Sequence, residues 1–187
     1  AGGFCGGCCC FSEPFGLGFS FSAALLLFLT YRATGLRVFL VIAGFTLFVW
    51  FDDSNSYHER AGRMISDYLD WNAHWGVPAG DLGQIAAWAI IALVAVPAAI
   101  WHLRRLQEQE WIAALICAVP AAVILTCGII IDFLHSANSG AMATFLTVVE
   151  DGGELLGLAM LTILSIGFLR DSRIHRQDQA GLVAEAG

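Results

Sequence analysis

The sequence contains no lysine, and its nine basic residues are all arginines, against 16 Asp and Glu. Charged residues make up only 13% of the 187 residues, compared with about 25% in an ordinary soluble domain. With a net charge of -7, the chain cannot assemble a basic patch for phosphate groups, which excludes a nucleic-acid partner. Apolar residues reach 58% and the mean hydropathy is +0.71, so we predict an all-α integral membrane protein whose partners are membrane lipids.

Five apolar runs are long enough to cross a bilayer as helices. We predict transmembrane helices over residues 15–31, 36–51, 82–101, 111–134 and 150–169, which together form one membrane domain over residues 14–170. The apolar stretch 141–149 could start the last helix early. Residues 57–72 repeat apolar side chains at helical spacing, which predicts one amphipathic helix on the extracytoplasmic surface. A charged, solvated cytoplasmic tail follows over residues 171–187.

The cysteines do not form a recognisable metal pattern. Four of the six lie in a Gly/Cys-rich N-terminal tail, residues 1–13, at Cys5, Cys8, Cys9 and Cys10. This cluster contains a CxxC, but no second Cys or His pair completes a zinc site. Cys117 and Cys127 stand alone within apolar runs, where we interpret them as small core residues. We therefore expect an ill-ordered or modified tail, and no secretory signal is visible ahead of the first span.

The arginines indicate how the helices are oriented in the membrane. In a five-span arrangement, seven of them fall on one side and only Arg60 and Arg63 fall on the other. Cytoplasmic loops carry the excess of Arg and Lys. We therefore predict a multi-pass protein of the bacterial inner (plasma) membrane with the N-terminus outside and the C-terminus in the cytoplasm. The seven are Arg32, Arg37, Arg104, Arg105, Arg170, Arg173 and Arg176.

Acidic residues and histidines occur at three places that this topology brings to one level of the membrane. At about 1.5 Å rise per residue, the ends of three spans carry these groups near the outer boundary of a hydrocarbon core about 30 Å thick. Ionisable groups at that depth are costly, and they are usually paired or functional. Carboxylates and imidazoles together are ligands for Fe, Mn or Zn. The predicted metal ligands are Asp53, His58, Asp132, His135, Glu150 and Glu154, with Glu59 as general base.

The spacing within two helices favours convergence, because Asp132 with His135 are i,i+3 and Glu150 with Glu154 are i,i+4. The pattern resembles, in chemistry and not as a family, the carboxylate-bridged di-metal sites of four-helix bundles. Here Asp replaces the usual Glu and the acid–His pair occurs once. Structural interpretations compete with the metal site. Glu59 and Glu154 each fit a capping box, with Ser56 and Asp151, and Asp132 with His135 could be a simple hydrogen-bonded pair.

Two classes of function follow. The first is a membrane metalloenzyme with a divalent transition metal near the extracytoplasmic surface, acting by hydrolysis or by redox chemistry on a lipid-soluble substrate. The alternative is a non-catalytic accessory subunit of a larger respiratory or photosynthetic membrane complex, in which the acids are structural and other membrane subunits are the partners. A haem between His58 and His135 is the poorer cofactor hypothesis, because neither histidine lies in mid-span.

Overall fold

The computed structural model describes residues 9–73 and 77–185, with side chains described over residues 14–73 and 77–174. This part of the chain is almost entirely helical and contains no strand, which confirms the predicted all-α class. The helices are α1 (Cys9–Thr34), α2 (Arg37–Asn55), α3 (Tyr57–Tyr68), α4 (Ala79–Leu103), α5 (Glu108–Leu125), a π-helical turn (Thr126–Ile131), α6 (Asp132–Ser136) and α7 (Ala141–Glu185). Most of the predicted tail 1–13, and Trp75, lie outside the described residues.

Five helical segments among the described residues are long and apolar enough to cross a membrane, as predicted. All five differ from the predicted bounds by a few residues, and the last differs most. The fourth runs from Glu108 through α5, the π-helical turn and α6 to Ser136 without a break. The last helix, α7, begins at Ala141 because the stretch 141–149 is apolar and helical, and it continues through the predicted tail to Glu185. The segments are Pro14–Thr34, Arg37–Asn55, Ala79–Leu103, Glu108–Ser136 and Ala141–Ile174.

The core of the bundle lies among α1, α2, α5 and α7. The turn at Gly35 joins α1 to α2 as a hairpin, and α1 also packs along α7. Small and aliphatic side chains such as Ala23, Leu27 and Leu161 are fully buried between these helices. Phe39 of α2 stacks at a tilt on Phe168 of α7, with ring centroids 5.0 Å apart. This packing fixes α2 against α7, the two helices that carry Asp53 and Glu154.

Helix α3 reverses the chain direction after α2. Ser56 makes the reversal in the left-handed region, at φ 46°, and α3 ends at Tyr68, short of the predicted residue 72. The face of α3 that packs on α4 consists of small residues, since the Gly62 backbone lies directly against Gly83. Its apolar stripe faces away from the chain, with Met64 72% and Tyr68 89% exposed. Helix α3 is therefore amphipathic, as predicted, and none of the described residues covers its apolar side.

Candidate metal centre

Three of the predicted ligands converge where α6 meets α7. One ligand atom from each of Asp132, His135 and Glu150 lies within 4.8 Å of the other two. Asp132 and His135 share a face of α6 because they are three residues apart, and the turn before α7 brings Glu150 alongside them. The Nδ1 atom of His135 lies 3.2 Å from Oε2 of Glu150. Two carboxylates and one imidazole at this separation are a donor set for a divalent transition metal.

A hydroxyl group of α7 determines how His135 is oriented. Its Nε2 atom lies 3.2 Å from Oγ1 of Thr147, and the Thr147 hydroxyl donates its hydrogen to the Ala143 carbonyl at 3.0 Å. Since a hydroxyl has only one hydrogen, Nε2 must carry a hydrogen and donate it to Thr147. Nδ1 is then the ring nitrogen that faces the carboxylates. Metal-binding histidines usually donate their second N–H to a partner in this way.

A cavity of about 320 Å³ opens beside these three residues, between α2, α3, α4, the π-helical turn and α7. Within the described part of the chain, six carboxyl groups line it and no arginine does. A second space of about 340 Å³ adjoins it and shares five of its residues, Asp53, His58, Glu59, Glu154 and Leu158. The cavity is therefore strongly acidic, which favours a cationic occupant. The six carboxyl groups belong to Asp53, Glu59, Asp81, Asp132, Glu150 and Glu154.

His58 lines both spaces and is held by the buried carboxylate of Asp52, which is 1% exposed. Asp52 accepts the His58 backbone N–H at 2.9 Å and lies 2.6 Å from its Nδ1. This hydrogen bond is the main reason that the pKa of His58 is raised above its usual value of 6.5; burial opposes the shift, and the charges of Asp52, Glu59 and Asp53 add to it. Because Nδ1 is committed to Asp52, Nε2 is the nitrogen left for the cavity. The ring of Trp88 lies against it, with centroids 5.6 Å apart.

Glu154 lies one helical turn from Glu150 on α7 and points toward the π-helical turn. Its carboxyl oxygen packs against Gly128, where a Cβ atom would overlap it. The adjacent Gly153 accommodates the Cys127 thiol in the same way. Local π-helical turns in α-helices are frequent at functional sites. Here the π-helical turn places Gly128 opposite Glu154, and the missing side chain lets the Glu154 carboxylate reach the cavity wall.

All the residues predicted for the site lie in the same region of the structure, but only some of them are close enough to bind one metal ion together. Within the described residues, the group at metal-ligand separation consists of Asp132, His135 and Glu150. The other predicted residues, Asp53, His58, Glu59 and Glu154, line the cavity next to this group. Their roles as ligands or base remain predictions.

The capping-box interpretation of two acids is wrong. Ser56 makes no side-chain cap, because its backbone is left-handed, and the residue that caps α3 is Asp52. Glu59 instead pairs with Arg63 at 3.4 Å. Glu154 lies 13 residues beyond Ala141, where α7 begins. The interpretation failed at Asp151 because no helix begins there, and at Ser56 because the left-handed backbone of the N-cap residue gives no side-chain cap.

Sequence reasoning missed three functional positions. Asp81 lines the cavity from the first turn of α4, where Gln84 donates a hydrogen bond to it at 3.4 Å. Thr147 lies in an apolar run, and no sequence pattern predicts its contact with His135. Asp52 directly precedes Asp53, and the sequence does not indicate which of the two acids contacts His58. A signal existed only for Asp81, as an acid directly before the predicted span 82–101.

Fold and site together define a helical bundle with five apolar helices and a candidate Asp/His/Glu metal centre at one end. The chain belongs to the family described as Domain of unknown function (DUF8692), whose profile matches residues 10–168. The matched region includes Asp132, His135 and Glu150, as well as every residue that lines the cavity. No curated protein and no solved structure matches the chain.

Proposed function

We propose that this protein is a membrane-embedded, metal-dependent hydrolase. The observation that carries the proposal is the convergence of Asp132, His135 and Glu150 within 4.8 Å, with Asp132 and Glu150 also lining an acidic cavity. Three protein ligands are typical of a catalytic metal site, because they leave a coordination position open for water or substrate. Here the open position would face the cavity. A fourth protein ligand would instead suggest a closed, structural site.

Charge balance supports a bound cation. Six carboxyl groups around one small cavity cannot all ionise without positive charge nearby. His58 is the sole histidine in the lining, and its Nδ1 is engaged by Asp52. A divalent ion held by Asp132, Glu150 and Nδ1 of His135 would offset two of these charges. Thr147 would keep the imidazole in the tautomer that binds metal.

A proton acceptor stands in the same cavity. When an ion is bound, it supplies polarisation of water and of a substrate carbonyl. His58 would take the proton from the attacking water through Nε2, while the buried Asp52 holds Nδ1 and stabilises the imidazolium. We assign this role to His58 instead of Glu59, because Glu59 is paired with Arg63. An Asp–His pair beside a three-ligand metal site favours hydrolysis over redox chemistry.

We also propose that the five apolar helices span a membrane with the cavity near the extracytoplasmic surface and the C-terminus in the cytoplasm. The support is the distribution of arginines: Arg32, Arg37, Arg104 and Arg105 lie at the helix ends opposite the cavity, whereas Arg60 and Arg63 are on α3. The exposed apolar stripe of α3 suits a helix lying in the interfacial layer. A reporter fused after Glu185 is expected to be active only in the cytoplasm.

The proposal is tested by removing and restoring metal. We expect protein stripped with a chelator to lose hydrolysis of a p-nitrophenyl fatty-acyl ester, and to regain it with Zn²⁺, Mn²⁺ or Fe²⁺. The variant His58→Gln should keep its metal but lose about 10²-fold or more in rate, because only the proton acceptor is removed. The matched control is His102→Gln, at the other end of α4. Hydrolysis that is indifferent to chelation would overturn the proposal.

The accessory-subunit hypothesis has one supporting observation. The second half of α4 exposes most of its apolar side chains, including Leu93 at 75% and Val94 at 73%. A neighbouring subunit or lipid would cover this surface equally well. Stable co-purification with a larger complex, together with the absence of stoichiometric metal, would favour the accessory subunit over the hydrolase.

A further inference from the structure

The cavity beside the candidate metal centre has two chemically different walls. Along α2, α4 and α7, the acids Asp53, Asp81 and Glu154 lie one or two helical turns from apolar lining residues of the same helix, and we call these two sets the polar wall and the apolar wall. The apolar wall is formed by Val49, Trp88, Ile124, Leu125, Ile129 and Leu158. A cavity lined in this way matches a molecule that is polar at one end and apolar at the other.

The charge of the polar wall defines which kind of polar group fits. If a divalent ion occupies the centre at Asp132, His135 and Glu150, four further carboxyl groups still line the cavity: Asp53, Glu59, Asp81 and Glu154. Among the residues that the structure describes, no arginine lines the cavity, and the whole sequence contains no lysine. A phosphate or carboxylate head would meet like charge, whereas a protonated amine would meet opposite charge and hydrogen-bond acceptors.

The apolar wall leads outward to the side of the bundle. Leu125 lines the cavity and is also 40% exposed on the outer surface of α5. Helix α4 packs chiefly on α3, and past Trp88 nearly all its side chains are exposed. Because α4 and α5 barely contact each other among the described residues, we infer that the apolar part of the cavity can be reached from the side, between these two apolar helices. A hydrocarbon chain could lie along Leu125 while its head reaches Asp53.

We propose that the occupant of this cavity is an amphiphile with a protonated amine head and a hydrocarbon chain, which carries an ester or amide bond as its hydrolysable group and enters sideways from the membrane. This inference rests on the proposed hydrolase, of which it names the substrate class. In the reaction, the oxygen of water forms a bond to the acyl carbon and the bond from that carbon to the leaving group breaks. The proton taken by His58 passes to the leaving group, so no other reactant is needed.

The test measures the thermal unfolding midpoint of the purified full-length protein with four probes: dodecylamine, octylamine, dodecyl phosphate and methylammonium. Saturating dodecylamine should raise Tm by about 3 to 6 °C. Octylamine should raise it less, and dodecyl phosphate and methylammonium should leave it unchanged. An equal shift with dodecyl phosphate would overturn the amine head, and an equal shift with methylammonium would overturn the chain.

Matched variants locate the binding site. Asp53→Asn should reduce the dodecylamine shift at least by half, whereas Asp67→Asn, an exposed acid of α3 that lies outside the cavity lining, should not. Leu125→Asn should likewise reduce it, whereas Leu115→Asn, an exposed leucine on the same helix, should not. Each pair introduces the same change in side chain, so a general loss of stability affects both members. Equal shifts within both pairs would overturn the proposed position.

Metal content separates this inference from the hydrolase itself. The same titration is run on chelator-stripped protein and on protein reloaded with Zn²⁺, with bound metal measured in each sample. If no metal binds but the selective dodecylamine shift remains, the amphiphile site stands and the hydrolase fails. If metal binds at His135 and the shift is absent or unselective, the hydrolase stands and the substrate class is wrong.

Discussion

Asp52 and His58 are joined by two hydrogen bonds, although they belong to different helices. The Asp52 carboxylate accepts the His58 backbone N–H at 2.9 Å and contacts its ring Nδ1 at 2.6 Å. The first bond caps the N-terminus of α3, and the second fixes the imidazole. The left-handed turn at Ser56 makes both possible, because it folds α3 back over the end of α2. One buried acid thus positions both a helix and a candidate proton acceptor.

This pair should make stability depend on pH. The pKa of His58 is raised, first by the hydrogen bond to Asp52 and then by nearby negative charge. A raised folded-state pKa means that the stabilisation is fully present below the unfolded value of 6.5 and is lost as the pH rises through the folded value. His58→Gln should therefore lower Tm more at about pH 6 than at about pH 9. A difference that grows toward alkaline pH would contradict this assignment.

Thr147 should tune metal affinity without being a ligand. Its contact with Nε2 of His135 orients the ring, so Thr147→Val should weaken metal binding by about 10- to 100-fold. Thr144→Val is the matched control, because Thr144 bonds the carbonyl of Gly140 in the same helix and has no contact with His135. Competition with a metallochromic chelator measures both affinities. Equal affinities for the two variants would show that the Thr147 contact does not matter.

Glu110 should be important for stability at the opposite end of the bundle. It is 5% exposed, and its two carboxylate oxygens accept the backbone N–H groups of Val38 and Gln107, each at 3.1 Å. One side chain therefore caps the N-termini of α2 and α5. Glu110→Ala should lower the unfolding free energy by about 2 to 4 kcal/mol. The exposed neighbour Glu108→Ala should cost under about 1 kcal/mol in the same denaturant titration.

Close contact between α3 and α4 should be needed to place Asp81 in the cavity. A Cβ atom at Gly83 would overlap the Gly62 carbonyl, so Gly83→Ala must push the two helices apart. We expect a loss of about 1 to 3 kcal/mol in unfolding free energy. At Gly80 a Cβ atom would meet only Arg63, at 3.9 Å, so Gly80→Ala is the control. Equal stability of the two variants would show that this crossing can relax freely.

The parts of the site that sequence could predict depend on spacing within one helix. Asp132 with His135, and Glu150 with Glu154, follow from three- and four-residue steps, and their common level follows from helix rise. Five apolar helices follow from hydropathy alone. The sequence indicates the start of α7 at Ala141 only as a possibility. The apolar stretch before Glu150 is compatible both with a helix and with a loop that packs on a helix.

The rest depends on contacts between helices, which spacing does not encode. Whether Asp52 or Asp53 holds His58 is decided by the left-handed turn at Ser56, a conformation unusual for serine. Thr147 gains its role only because α6 lies beside it. Glu110 appeared to be an ordinary charged loop residue, and its partner Val38 belongs to a distant part of the chain. These residues act through tertiary packing, so no local pattern marks them.

The most direct test of the account is the metal content of the purified protein after reconstitution with divalent transition metals, measured by inductively coupled plasma mass spectrometry. We predict one ion per chain in the wild type. His135→Ala should lose it, whereas His102→Ala, at the other end of the bundle, should retain it. A wild type with no ion above background, or equal metal in His135→Ala and the wild type, would contradict the metal centre at Asp132, His135 and Glu150.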